Sequence, residues 1–116
     1  MNLYLDTSTP EAILVLEDTQ TGATFEYREL LGREMAEKLL GFLRDKLAIH
    51  AKTWTDLKQL TFFSGPGSFT GLRIGATVIN TLAHELRLPL YDHHGVKHSQ
   101  IIPDYGRPAR VTPPKK

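Results

Sequence analysis

At 116 residues, 41 % of them hydrophobic and 23 % charged, the chain has the composition of one globular domain rather than of a disordered or fibrous protein. Its formal net charge of +1 and its lack of cysteine exclude a disulfide framework and any global attraction to nucleic acid or an acidic membrane. No segment approaches the ~20 apolar residues of a membrane span. Met1 to Asp6 lacks the basic and apolar regions of a signal peptide, so the expected location is cytoplasmic.

Leu3 and Leu5 alternate with polar neighbours between Asn2 and Asp6, the pattern of a first strand. Thr7-Ser8-Thr9-Pro10 is a turn, because small hydroxyl residues and proline favour bends over ladders. Glu11 to Glu17 holds the apolar run Ala12-Ile13-Leu14-Val15-Leu16, which suits a strand covered on both faces. Asp18 to Gly22 turns the chain, and Ala23 to Arg28 alternates again with Phe25 and Tyr27 on one side. Three strands with such short links imply an antiparallel meander.

From Glu34 to about Ile49 the period changes to that of a helix. Met35, Leu39, Phe42, Leu43 and Leu47 recur at spacings of three and four. Glu34 and Lys38 stand four apart in the favourable order. Gly41, mid-helix, marks either a close approach of another backbone or simple tolerance of a residue costing up to ~1 kcal/mol. Thr55-Asp56-Leu57 reads as the cap of a short turn.

Leu60 to Ser64 is a buried strand broken by Gly65-Pro66-Gly67-Ser68. Ser68 caps a second helix, running from Phe69 to about Leu86 and ended by Pro89. Leu90-Tyr91 is a short final strand. Strands four and five each follow a helix, so they join the first in parallel through right-handed crossovers. The result is an α/β fold: a mixed five-stranded sheet packed by helices, close to the ribonuclease H-like arrangement. Residues 1–100 form this domain. Residues 101–116, with Pro103, Pro108, Pro113 and Pro114, form an extended tail made basic by Arg107, Arg110, Lys115 and Lys116. That tail is either a solvated terminus or a contact for RNA phosphate or an acidic partner.

Gly65-Pro66-Gly67-Ser68-Phe69-Thr70-Gly71-Leu72-Arg73-Ile74-Gly75 is the least ordinary stretch. Between a strand and a helix, backbone N–H groups can hold an anion. Yet no lysine followed by serine or threonine is present for a phosphate loop, and Thr70 stands where a dinucleotide fingerprint needs glycine. Ser68 has Gly71 three residues on, not the two a nucleophile elbow requires. Structure accounts for the same residues: Pro66 fixes a bend, Gly65 and Gly67 permit unusual conformations, and Ser68 caps. Gly71 and Gly75 share a helical face that admits a close neighbour. That neighbour is either the domain's own core or another subunit.

The segment Ser64 to Gly75, with Asp6-Thr7-Ser8, Leu88-Pro89-Leu90 and Gly95-Val96, resembles the bacterial TsaB family over roughly Leu3 to Val96. The resemblance implies the amino-terminal lobe of an actin-like ATPase (ASKHA) fold and a non-catalytic dimerisation subunit. Such a subunit pairs with the transferase TsaD, is joined by the ATPase TsaE, and serves the transfer of threonylcarbamoyl to N6 of an adenosine in tRNA. By the same resemblance the isolated chain forms homodimers, needs no cofactor, and meets tRNA only indirectly or through its tail. Pairing through helices points to Met35, Leu39, Phe42, Gly71, Arg73, Gly75 and Ile79. Family members have two lobes, whereas this sequence covers one; Pro103-Asp104-Tyr105-Gly106-Arg107 resembles the ending of longer relatives and implies a naturally shortened form.

Asp6, with Thr7 and Ser8, is the expected remnant of a phosphate site, or else accepts hydrogen bonds from its own turn. The competing expectation is a minimal ASKHA phosphotransferase or hydrolase using Asp6 and the Gly65–Gly71 loop. His93, His94 and His98 invite a metal only weakly, without cysteine and with Asp92 the one nearby acid. No spacing puts a base beside Ser68 for a triad. Arg73 opposes the dipole of its helix and therefore needs an acidic partner or an interface.

Overall fold

The computed structural model describes residues 1–104. Strands β1 (Asn2–Asp6), β2 (Glu11–Glu17) and β3 (Thr24–Leu30) lead through a 3₁₀ turn into helix α1 (Met35–Ile49). A second 3₁₀ turn precedes β4 (Gln59–Phe62), followed by α2 (Phe69–Leu86), β5 (Leu90–Asp92) and β6 (Lys97–His98). They form one sheet of order β3-β2-β1-β4-β5-β6. The meander is antiparallel, with Leu5 opposite Leu14 and Leu14 opposite Tyr27. β4 lies parallel to β1, and β5 parallel to β4, as the two helical crossovers require.

Period-two alternation sends Leu3, Leu5, Ala12, Leu14, Leu16, Leu60, Phe62 and Leu90 to one face, each no more than 1 % exposed. α1 covers that face with Leu39, Phe42, Leu43 and Leu47, and α2 with Leu72, Ala76, Ile79, Leu82 and Ala83. On the other face Tyr4, Ile13, Val15 and Thr61 are only half-buried. The apolar run of β2 is thus covered fully on one side and partly on the other, not on both as its composition implied.

The ends of the elements show which local signals worked. Lys38 pairs with Glu34 at 3.0 Å. A side chain at Gly41 would meet only the flexible Arg44, at 3.5 Å, so this glycine is tolerated rather than required. The short turn before β4 is capped two residues earlier than expected: Thr53 N–H donates to Asp56 at 2.8 Å in a capping box. α2 ends where Arg87 adopts a left-handed conformation, a position more often held by glycine. Tyr27 Oη lies 2.6 Å from His50 Nε2, tying β3 to the end of α1.

The sheet has six strands, one more than the sequence reading placed. β6 pairs back on β5 with Leu90 opposite His98. Two residues are too few to show a period, so this strand left no pattern to read. Its turn is built by Asp92, whose Oδ1 accepts from the His94 and Val96 amides at 2.8 and 3.0 Å. His98 Nε2 meets the other carboxylate oxygen at 2.8 Å. One residue past the expected boundary at 100, Ile101 is 2 % exposed and joins the core. Asn80 holds it there: its amide donates to the Ile101 carbonyl at 3.0 Å and accepts from the Ile101 N–H at 2.8 Å. Most of the expected basic tail lies outside the described residues.

The hydrogen bond from His98, then that from Val96, pulls the Asp92 carboxyl from 3.8 down to about 2. A carboxyl depressed by folding stabilises the native state fully above its unfolded value, and that contribution disappears as pH falls through the folded one. Asp92→Asn should therefore be less stable than the parent at neutral pH. The gap should close between about pH 4 and pH 2, measured by denaturant unfolding across that range.

Candidate functional site

The glycine segment connects β4 to α2 and wraps the end of β1. Its residues bond to the chain's own backbone. Asp6 Oδ1 accepts from the Ser8 amide at 2.8 Å, closing a local turn. The Ser8 carbonyl accepts from the Ser68 N–H at 2.8 Å, and Ser68 Oγ caps α2 by accepting from Gly71 N–H at 3.2 Å. Thr7, fully buried, donates from Oγ1 to the Gly71 carbonyl at 2.7 Å. Burial first, and then the Asp6 carboxylate, raise the Tyr4 phenol above its ordinary value of 10.

The glycines are placed by contact. A Cβ on Gly71 would run into the Thr7 carbonyl oxygen, and one on Gly75 into Thr7 Oγ1 and the Phe62 ring. Gly67 is pressed against Ser8 in the same way. Gly65 has φ +116, and the Asp104 carbonyl fills its open side; it joins exposed Pro66 through a cis bond. Thr7 and Ser8 at the end of β1 and the glycine segment are therefore in contact as a packing joint. Of the residues expected to meet another subunit, Arg73 alone is exposed. Met35, Leu39, Phe42, Gly71, Gly75 and Ile79 are buried in the chain's own core, because the sheet takes the helix face that the small residues open.

The outward face of the helices is a different set. Phe69, Thr70, Arg73, Ile74, Thr77 and Val78 of α2 line one shallow groove with Ala36 of α1. A second groove, sharing Thr70 and Ile74, runs on to Arg33, Gly32 and Pro10. Phe69 is 53 % exposed and Leu40 of α1 is 49 % exposed. An i, i+4, i+5, i+9 spacing in Phe69, Arg73, Ile74 and Val78 was present in the sequence, but the glycines drew the reading to the opposite face.

The rings of His93 and His94 pack on each other, 4.1 Å between centroids, while His98 stands apart. His93 Nδ1 accepts from Ser64 N–H at 3.2 Å and its ring packs on Phe63, whereas His98 belongs to Asp92. His94 and His98 share no helical face, since that stretch is a hairpin. Among the described residues no three histidine, aspartate, glutamate or cysteine side chains converge on a point fit for a metal, and no helix is long and apolar enough to cross a membrane. The histidine nearest a serine faces Ser64, not Ser68.

A meander followed by two parallel crossover strands, with both helices on one face, is a ribonuclease H-like lobe of ASKHA type. The chain belongs to the family described as TsaD, tRNA N6-adenosine threonylcarbamoyltransferase, whose model matches residues 28–107. Within it the chain is TsaB-like. It is 36 % identical over 89 residues to the tRNA threonylcarbamoyladenosine biosynthesis protein TsaB of Escherichia coli, covering 76 % of this chain and 37 % of that one. Similarity to TsaB of Haemophilus influenzae is 34 % over 88 residues, with 76 % and 36 % covered. The structure of YeaZ from Pseudomonas aeruginosa matches at 33 % identity and a TM-score of 0.72, over 78 % of this chain and 42 % of that one. The chain spans well under half the length of these relatives.

Replacing Gly75 by alanine should cost about 2 kcal/mol or more, as an overpacked core does. Part of that loss should return in Thr7→Ala/Gly75→Ala, which removes the obstructing Oγ1. Gly71→Ala should not be rescued by Thr7→Ala, because its obstacle is a main-chain carbonyl. Double-mutant cycles from denaturant midpoints distinguish the two cases.

Proposed function

We propose that this chain is a non-catalytic partner subunit in tRNA N6-threonylcarbamoyladenosine biosynthesis. It binds and supports a TsaD-like transferase through the outward face of α1 and α2, with a TsaE-like ATPase as a further member of the assembly. The names of its relatives support the process. The observation that carries the role is the division of labour across α2. Its inner face is committed to Thr7 and the sheet, and its outer face leaves Phe69, Ile74 and Val78 in grooves shared with α1. Partly exposed aromatic and aliphatic side chains on a rigid helix pair are the anchors on which association energy concentrates.

The competing reading, a phosphotransferase or hydrolase, is less well supported. The amides of Ser8, Ser68 and Gly71 are already bonded within the chain, and Ser8 occupies the open side of Gly67. Little of the loop is left to cradle a phosphate.

Co-purification with the TsaD-like transferase of the source organism tests the proposal. The parent chain should capture it, and Phe69→Asp with Val78→Asp should weaken capture by about tenfold or more while the fold survives. Deleting the gene should lower threonylcarbamoyladenosine in tRNA, and a copy carrying both substitutions should not restore it. Turnover of ATP by the purified chain alone would overturn the assignment in favour of an enzyme.

A further inference from the structure

We propose that the cleft between the C-terminal end of α2 and the β5–β6 hairpin holds a backbone phosphate of RNA, with Arg87 and Lys97 as its cations. The cleft lies at the other end of α2 from Phe69, so its occupant is separate from the protein partner of the α1–α2 face.

His84 and Arg87 at the end of α2 line this open cleft together with Lys97, His98 and Ser99. Among the described residues its lining includes no carboxylate. Glu85 belongs to the adjoining groove. The ion pairs of the described residues are those of Arg28, Lys38, Arg44 and His98. Arg87 and Lys97 are exposed, and within the described residues their side chains make no hydrogen bond or ion pair. The Asp92 carboxylate is already committed to the hairpin. One oxygen accepts from the His94 and Val96 amides, and the other holds His98 Nε2 at 2.8 Å.

Arg87 holds φ 55 and ψ 48, the left-handed conformation, at the end of α2. Glycine takes that conformation freely, whereas a side chain there strains the backbone. A cation is favoured at a helix C-terminus, but by less than that strain. The fold alone therefore does not account for arginine at this position. The last helical carbonyls, which would repel an anion, are occupied: Ala83 O accepts from the Leu88 amide at 3.0 Å, and His84 O from the Arg87 amide at 3.4 Å. An anion in the cleft meets the side chains instead. A guanidinium offers phosphate two parallel hydrogen bonds, and an ammonium adds a point charge. In so open a cleft a free phosphate stays largely hydrated, whereas a nucleic-acid chain crossing it releases counterions with each phosphate neutralised. The net charge of +1 gives no general attraction, so such contacts have to be local. RNA is the polyanion of the proposed process, and to that extent the choice of ligand rests on the reading under Proposed function.

Arg87→Gly separates binding from folding, because it removes the cation and the backbone strain together. It should melt at a higher temperature than the parent and bind RNA less tightly. Anisotropy of a labelled single-stranded oligoribonucleotide, titrated with the full chain at several salt concentrations, reads the binding. Arg87→Gly and Lys97→Gln should each weaken it about three- to tenfold at low salt, and each should lower the slope of log K against log salt by about 0.7. Both losses should persist when Arg107, Arg110, Lys115 and Lys116 are replaced by glutamine, which removes the other basic route to RNA. The proposal falls if the parent does not bind the oligonucleotide, or if both cleft variants keep the parent's affinity and salt slope. Displacement by polyglutamate or by inorganic phosphate as effective as by unlabelled RNA overturns RNA as the occupant. A melting temperature of Arg87→Gly below that of the parent would show that the arginine serves the fold, and it overturns the proposal equally. Capture of the TsaD-like transferase by the parent is a separate measurement. If it succeeds while RNA binding fails, the subunit role stands without this site.

Discussion

The structure depends on the contact between Thr7 and the first turns of α2. Thr7 is the one polar side chain fully buried among the described residues. Its hydroxyl donates to a helical carbonyl, Gly71 O, at 2.7 Å. That bond satisfies a group whose burial would otherwise cost about 1–3 kcal/mol, and it is reachable only if no side chain stands between strand end and helix. Gly71 and Gly75 provide that clearance. The hydroxyl and the two glycines are one device, and each is intelligible only with the other.

This contact orients the helix. With positions 71, 72, 75, 76, 79, 82 and 83 turned to the sheet, the 3.6-residue period leaves 69, 73, 77 and the partly covered 74 and 78 on the far side. Ile74 and Val78 still pack partly against the core, so separate information is carried by the exposed residues. Phe69 and Leu40 are apolar where polar residues would serve solubility, and Arg73 is exposed beside Phe69. The core arrangement thus fixes where a surface of mixed apolar and cationic character must lie, without explaining its composition.

The framework was legible because its signals are periodic and repeated. Leu3 and Leu5 give a strand, Met35 to Leu47 give a helix, and two crossovers dictate parallel pairing for β4 and β5. Ser68 was readable as a cap because the capping chemistry is local. What escaped was non-local or too short to repeat. β6 has two residues, the Asn80–Ile101 bonds span 21 positions, and the left-handed Arg87 carries no glycine to announce it. The site was half legible. The sequence marked Gly71 and Gly75 as a place of close approach, yet a glycine reports only that something comes near. Thr7, 64 residues away from Gly71 in the chain, was the answer, and only the sheet topology brings it there.

The same reasoning bears on why a glycine-rich strand-to-helix loop, the usual frame of an anion site, is read here as architecture. An anion is held by amides that point outward with no other acceptor. In this loop the Ser68 amide is taken by Ser8, the Gly71 amide by the Ser68 cap, and the Ser8 amide by Asp6. A phosphate would have to displace these bonds, and it would also have to open the space between Gly67 and Ser8. The bonds an anion would need are already made within the fold, where they hold α2 against the end of β1.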